Sequence, residues 1–235
     1  MYPYSKAIVL SSGGVDSTTC LGIAISRLGA ANVTAVSVHY GQKHSKELEQ
    51  AKKIAEHYGV NHKVIDLSAI FADSNCSLLA HSTEEVPHEA YAEQIKKLKD
   101  DEGVSTYVPF RNGLMLSAVA SLAGSLYPDD HVGIFIGAHA DDAAGHAYAD
   151  CSEAFTDAIG EAIKIGTYSK VTLEAPLVNF NKAQVVAAGL TLNVPYELTW
   201  SCYNGGEKPC GVCGTCIDRA NAFKANGVSD PALEV

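Results

Sequence analysis

Residues 7–19, Ala-Ile-Val-Leu-Ser-Ser-Gly-Gly-Val-Asp-Ser-Thr-Thr, constrain the fold more than any other stretch of this 235-residue chain. The apolar run Ala7–Leu10 predicts a buried strand, and a helix is expected to begin near Asp16. Between them Gly13 and Gly14 allow a sharp turn and let backbone approach a ligand with no Cβ in the way. Backbone N–H groups at a helix start, aligned with the positive end of its dipole, form an anion site. A Walker loop would need a lysine before its final Ser or Thr, and this stretch has none. The plainer reading is a glycine-rich strand-to-helix turn with Asp16 as N-cap, and capping and phosphate binding are compatible.

The rest of the chain predicts an α/β order. Ser17–Leu28 has helical spacing and stops at Gly29; Val33–Val38 alternates as a second strand. Lys46–Tyr58 is a charged amphipathic helix ended by Gly59, and Lys63–Leu67 a third strand. From Ser68 to Thr106 the pattern dissolves, with only Glu89–Asp101 helical; such a piece reads as a lid, a binding loop or a dimer contact. A helix follows at Gly113–Leu126, then a strand at Val132–Ala138 and a helix at about Glu153–Ile165. A strand at Val171–Ala175 and a helix from Asn181 complete the series. The prediction is a Rossmann-like doubly wound parallel sheet of five strands in order 3-2-1-4-5, with helices on both faces and right-handed crossovers. Ligands in such sheets sit at the carboxyl ends of the strands, at the switch point beside strand one. That is where the glycine loop falls.

Four of the seven cysteines crowd into fifteen residues: Cys202, Cys210, Cys213 and Cys216, spaced C-x7-C-x2-C-x2-C. Thiolates at this spacing close a tetrahedral Zn²⁺ shell and leave no open position for catalysis; an iron–sulfur cluster also uses such a run. Cys20, Cys76 and Cys151 are isolated and read as buried apolar residues. The chain divides into an α/β domain over 1–198, with 68–106 as an irregular insertion, and a small cysteine module over 199–235.

A net charge of −10 with no basic block argues against a nucleic-acid footprint. Tyr2-Pro3-Tyr4-Ser5-Lys6 leads straight into the first strand without a leader, and Leu114–Leu126 is too short to span a bilayer. Together with cysteines grouped as for a metal, this points to a cytoplasmic protein with no membrane partner.

Ser12-Gly13-Gly14-Val15-Asp16-Ser17 resembles the S-G-G-x-D-S loop of the ATP-pyrophosphatase family. Other stretches narrow the resemblance: Tyr40-Gly41-Gln42-Lys43-His44, Tyr107-Val108-Pro109-Phe110-Arg111-Asn112, Asp141-Asp142 with Asp150-Cys151, Asn181-Lys182, and Thr199-Trp200-Ser201-Cys202 entering the cysteine cluster. Together they resemble the 7-cyano-7-deazaguanine synthase family of queuosine biosynthesis over most of the chain. That family often has Tyr-Pro-Asp-Cys-Arg where this chain has Tyr148-Ala149-Asp150-Cys151-Ser152, so no arginine is available there.

The resemblance implies a homodimer that takes ATP, Mg²⁺ and structural Zn²⁺, and converts 7-carboxy-7-deazaguanine and ammonia through adenylates to the amide and then the nitrile. It implies Leu10, Ser11, Ser12, Gly13, Gly14, Val15, Asp16, Ser17, Thr18 and Thr19 around ATP, and Asp16, Lys182 and Arg111 in catalysis. Tyr40, Asn112, Asp141 and Asp150 are the expected substrate contacts, and the four clustered cysteines the metal ligands. Lys182 near a helix start opposes the dipole unless a phosphate offsets it. Tyr40 and His44 are equally readable as exposed loop residues, and His139 and His146 as ordinary loop histidines. Sheet, helices and cysteines consume the chain and leave no glutaminase domain, so free ammonia is the expected nitrogen source. The alternatives are a tRNA thiolase of the same superfamily, an ammonia-dependent NAD synthetase-like ligase, and a non-catalytic ATP sensor.

Overall fold

The computed structural model describes residues 2–89, 93, 94, 96, 104–144 and 147–233. Five parallel strands, β1 (Lys6–Leu10), β2 (Val33–His39), β3 (Asn61–Asp66), β4 (Val132–Phe135) and β5 (Val171–Glu174), form one sheet in the order β3-β2-β1-β4-β5. Strand β1 is central, with Ala7 opposite both Val33 of β2 and Gly133 of β4. It is apolar on both faces because both faces are covered, as parallel sheets require.

Ala7 and Val9 point to a core with Leu21 of helix α1 (Val15–Leu28), Ile54 of α2 (Lys46–Tyr58) and Val185 of a later helix. Ile8 and Leu10, one residue out of phase, face Leu116 of α3 (Arg111–Leu126) and Ile163 of α4 (Glu153–Gly166). The period of two along β1 therefore sorts its side chains between two helical layers.

Local chemistry fixes the helix ends. Gly59, in the left-handed region, closes α2 by donating its N–H to Ala55 and Glu56 carbonyls. Helix α5 (Lys182–Thr191) opens with a capping box between Asn181 and Gln184. The last helix, α6 (Gly214–Ala225), packs on α5. Its Arg219 forms a buried bidentate pair with Asp230, 2.6 and 2.8 Å, and donates to Thr199 Oγ1 at 2.8 Å.

Several boundaries differ from expectation by a few residues. Strand β3 starts two residues earlier, while β4 ends at Phe135; Ile136 N–H still donates to Glu174 O of β5 at 3.0 Å, and Ile136, Gly137 and Ala138 go on to line the site. The N-cap of α1 is Gly14, and Asp16 sits inside the helix with its carboxylate used elsewhere. The expected helix at 89–101 lies largely outside the described residues. The irregular segment after Ser68 has its own small core, in which Phe71, Cys76 and Leu79 pack with Tyr40 and Val108. No helix among the described residues is long and apolar enough to cross a membrane.

Candidate active site

A cavity of about 250 Å³ opens at the carboxyl ends of β1, β2 and β4. Its floor is the glycine loop: Leu10, Ser11, Ser12, Gly14, Asp16 and Ser17 all line it. The loop holds itself in shape through Ser12 N–H donating to Ser17 Oγ (3.2 Å) and Ser17 Oγ donating to Gly14 O (3.3 Å). Thr18 is the first residue of α1 whose N–H finds a helical acceptor, Gly14 O at 3.1 Å, so the turn before it keeps donors for a ligand.

Gly13 has φ +79°, and a Cβ there would lie 2.5 Å from Glu47 O and 2.7 Å from Ala51 N. Thus α2 is clamped directly against the loop. Gly137, at the exit of β4, plays the reciprocal part: a Cβ there would meet the Asp16 backbone at 2.9 Å. Val15, Thr18 and Thr19 face the interior. The Thr18 hydroxyl donates to Gly14 O at 2.7 Å and that of Thr19 to Val15 O at 2.9 Å.

Lys182 reaches from α5 to grip Asp16, Nζ to Oδ2 2.6 Å and to Oδ1 2.7 Å. Burial works against both charges, but their mutual attraction prevails: Asp16 is held below the usual carboxylate range and Lys182 above the usual amine range. The dipole that disfavours a cation at a helix start is thereby countered by Asp16, while Lys182 N–H donates to Asp141 Oδ2 at 2.7 Å.

His139, in sequence an ordinary loop histidine, is 2% exposed and lies at the centre of this group. Its Nε2 is 3.3 Å from Asp142 Oδ2 and 3.6 Å from Asp16 Oδ1. The signal available was its place just beyond the strand paired to β1. Its Nδ1 and the Ser11 hydroxyl are buried without a protein partner, as expected of a polar site shaped for a ligand.

On the other side of the cavity, Arg111, the first residue of α3, stacks its guanidinium over the Tyr40 ring, 5.0 Å to the centroid. Burial opposes the Arg111 charge, but Tyr40, Tyr203 and Asp150 raise its pKa. Glu47 of α2 shares this wall, and burial pushes it up to about 7 against the pull of Arg111. Sequence reasoning missed it too; its clue was an acid in the first turn of an amphipathic helix, beside the Tyr40–His44 stretch.

Asn112 and Cys151 form the neighbouring wall. Asp150, 4% exposed, accepts the Asn112 N–H at 2.9 Å, so its carboxylate caps α3. Burial raises the Asp150 pKa while that N–H lowers it.

The four clustered cysteine sulfurs lie within 4.8 Å of one another; among the described residues this is the group of three or more such ligands that fits a metal ion. Cys210 N–H donates to the Cys202 sulfur and Cys213 N–H to that of Cys210, both at 3.3 Å. Four converging sulfurs, once deprotonated, suit a soft or borderline cation. The knuckle also reaches the cavity: Trp200 N–H donates to Gly13 O at 2.9 Å, and Lys46 sits 4.2 Å over the Trp200 ring.

Fold and loop together define a class, a doubly wound α/β protein with a glycine loop at its topological switch point. NMN synthetase from Francisella tularensis shares the fold, with a TM-score of 0.50 at 15% identity over 99% of this chain and 82% of that one. So does a glutamine-dependent NAD+ synthetase from Acinetobacter baumannii, TM-score 0.51 at 16% identity, over 85% of this chain and 33% of that one. Sequence specifies the membership further: residues 6–227 match the family model described as queuosine biosynthesis protein QueC, and the chain belongs to that family. Among its relatives, 7-cyano-7-deazaguanine synthase of Caldicellulosiruptor saccharolyticus is 45% identical over 226 residues, 96% of this chain and 94% of the relative. The synthase of that name from Archaeoglobus fulgidus is 41% identical over 229 residues, 97% and 90% of the two chains.

Proposed function

We propose that this chain is itself a 7-cyano-7-deazaguanine synthase, an ATP-dependent ligase that turns 7-carboxy-7-deazaguanine and ammonia into the nitrile. The observation that carries the reading is the meeting, in one cavity, of the glycine loop with the Asp16–Lys182 pair. Membership of the family over nearly the whole chain supports the substrate.

A carboxylate oxygen of the acid attacks the α-phosphorus of ATP, and pyrophosphate departs. Loop N–H groups and Lys182 meet the charge that builds on the leaving pyrophosphate, where preorganised donors act most strongly. Arg111 holds the acid end of the substrate, with Tyr40 and Asn112 beside it. Ammonia then displaces AMP to give the amide. Adenylation of the amide oxygen and loss of AMP give the nitrile. Catalysis is chiefly positioning and charge stabilisation.

Asp142 and Asp218 line the phosphate end, and burial raises the pKa of both. A pair of such acids plus substrate phosphates suits Mg²⁺, which would neutralise phosphate charge. Zn²⁺ in the knuckle would be structural, held by Cys202, Cys210, Cys213 and Cys216. On this reading the protein is a cytoplasmic homodimer acting on small molecules, and the net charge of −10 is in keeping with the absence of a nucleic-acid partner.

The test is pyrophosphate release over a panel of carboxylic acids with ammonium chloride and ATP, with product masses recorded. Nitrile from the deazaguanine acid alone is the expected result; release with a different acid, or none with any, would overturn the reading.

A further inference from the structure

The carboxylates around the cavity are not equivalent. Among the described residues Asp16, Asp141, Asp142 and Asp150 each have a protein partner within hydrogen-bond or ion-pair distance. Asp218 has none, but it faces Lys182 and the acids of the phosphate end. Glu47 also has none, and it faces Arg111 instead. A partly buried carboxylate without a hydrogen bond is costly unless something else satisfies it.

Position narrows what that something is. The Glu47 main chain lies against Gly13, within van der Waals reach of the loop. The Glu47 side chain lines the cavity on the wall of Arg111 and Tyr40, beside that turn; this places it by the acyl carbon, which is linked through oxygen to the α-phosphorus, while the remote end of a bicyclic base lies farther off. Arg111 across from it suits the carboxylate being activated.

The missing partner is therefore expected to be cationic, small and close to the acyl carbon. Ammonia in water at neutral pH is mostly ammonium and, like a lysine amine, has no nucleophilic lone pair until it loses a proton.

Resting on the proposed activity, we propose that Glu47 binds ammonium and takes its proton, delivering ammonia to the acyl adenylate. One proton of NH4+ passes to the Glu47 carboxylate, and the freed nitrogen pair forms the C–N bond. The C–O bond to AMP breaks with its electrons on the phosphate oxygen, which accepts the second proton shed by nitrogen. The products are amide, protonated AMP and neutral Glu47, which returns its proton to solvent. The charged and titratable groups facing Glu47 are Arg111 and the Tyr40 hydroxyl, with Tyr203 on the same wall. Its elevated proton affinity matches that of a base poised for neutral pH.

The experiment separates the two halves of the reaction. ATP–pyrophosphate exchange driven by the deazaguanine acid needs no ammonia and reports adenylation alone. Amide formation is then followed with ammonium chloride and, separately, with hydroxylamine, a nucleophile already uncharged at neutral pH. Glu47→Gln is expected to keep exchange and hydroxamate formation within about threefold of wild type while kcat/KM for ammonium falls roughly 100-fold, the low end of general-base effects. The deficit should shrink as pH rises toward 9 and ammonium gives way to ammonia, and Glu47→Asp should recover part of it.

Equal loss of exchange and ammonium use would overturn the inference, since Glu47 would then serve the acid or the fold. Unchanged ammonium kinetics would overturn it as well. Should Glu47→Gln misfold, wild-type kcat/KM for total ammonium decides. A plateau above about pH 8 supports a protein base, and a tenfold climb per pH unit that tracks free ammonia overturns it. Absence of exchange with wild-type enzyme would sink the proposed activity, and this inference with it; robust exchange with an indifferent Glu47 would sink the inference alone.

Discussion

The cysteine knuckle and the strand-end cavity lie against each other, yet they are built in opposite ways. The knuckle gathers its four sulfurs from fifteen consecutive residues, so short chain segments and one ion can define it. The cavity joins Asp16 to Lys182 across 166 residues of sequence and borrows walls from α2, α3 and the knuckle itself. A local site is specified by spacing; a distributed one depends on the whole sheet being in register. The two also respond differently to loss of a single group, which is where the comparison can be broken.

The largest effect is expected at the knuckle. Zinc sites in small domains are worth about 10–16 kcal/mol of folding free energy, so Cys216→Ser should empty the site and release the chain around it. Metal analysis should fall from one ion per chain to none, and limited proteolysis should cut near 203–212. Because Trp200 N–H holds Gly13 O, pyrophosphate exchange should fall along with the metal. Intact exchange in a metal-free variant would show that the two regions are independent.

Next comes the charge pair. Lys182→Met removes the cation proposed to face the leaving pyrophosphate and strands Asp16. Pyrophosphate exchange should drop by about 10²–10³-fold, and thermal melting should report a loss of about 3–5 kcal/mol. Restoring stability but not exchange in the double variant Asp16→Leu/Lys182→Met would separate the pair's structural part from its chemical one.

Gly13→Ala tests the joint between loop and α2. Its positive φ alone costs about 1–3 kcal/mol for a residue with a Cβ, and the Glu47 carbonyl leaves no space for one. Urea denaturation should show a lower midpoint, with ATP binding weakened more than metal content.

The smallest expected effect concerns pH. Burial raises Glu47 from 4.5 to about 7 in the folded protein, so between those values the folded state binds more protons than the unfolded one. Stability should therefore decline as pH rises through that window. Glu47→Gln removes this slope and should raise the melting midpoint at pH 8 relative to wild type. An unchanged slope would show that the carboxylate has a partner in solution.

The contrast explains what could be read without coordinates. The strand order, the glycine loop and the cysteine ligands follow from local patterns: apolar runs, a Gly-Gly turn before a helix, and thiols at knuckle spacing. Asp16 was legible as important, but not as the partner of Lys182, because nothing in either neighbourhood points across 166 residues. Asp150 was legible as a candidate substrate contact, but not as the acceptor that caps α3. His139 and Glu47 were overlooked since a histidine after a strand and an acid in a helix's first turn are ordinary until the sheet brings them to the same cavity.

By itself, the sequence determined the class of fold, the glycine turn between the first strand and helix, and the grouping of four cysteines that could hold a metal ion, because each depends on residue type and on spacings of a few positions. Only the tertiary structure decided which charges meet, which cavity carboxylates are left without a hydrogen-bond partner, and that the knuckle braces the loop. The reason is physical: burial and long-range proximity set the energy of a charge, and neither exists until distant segments of the chain are packed together.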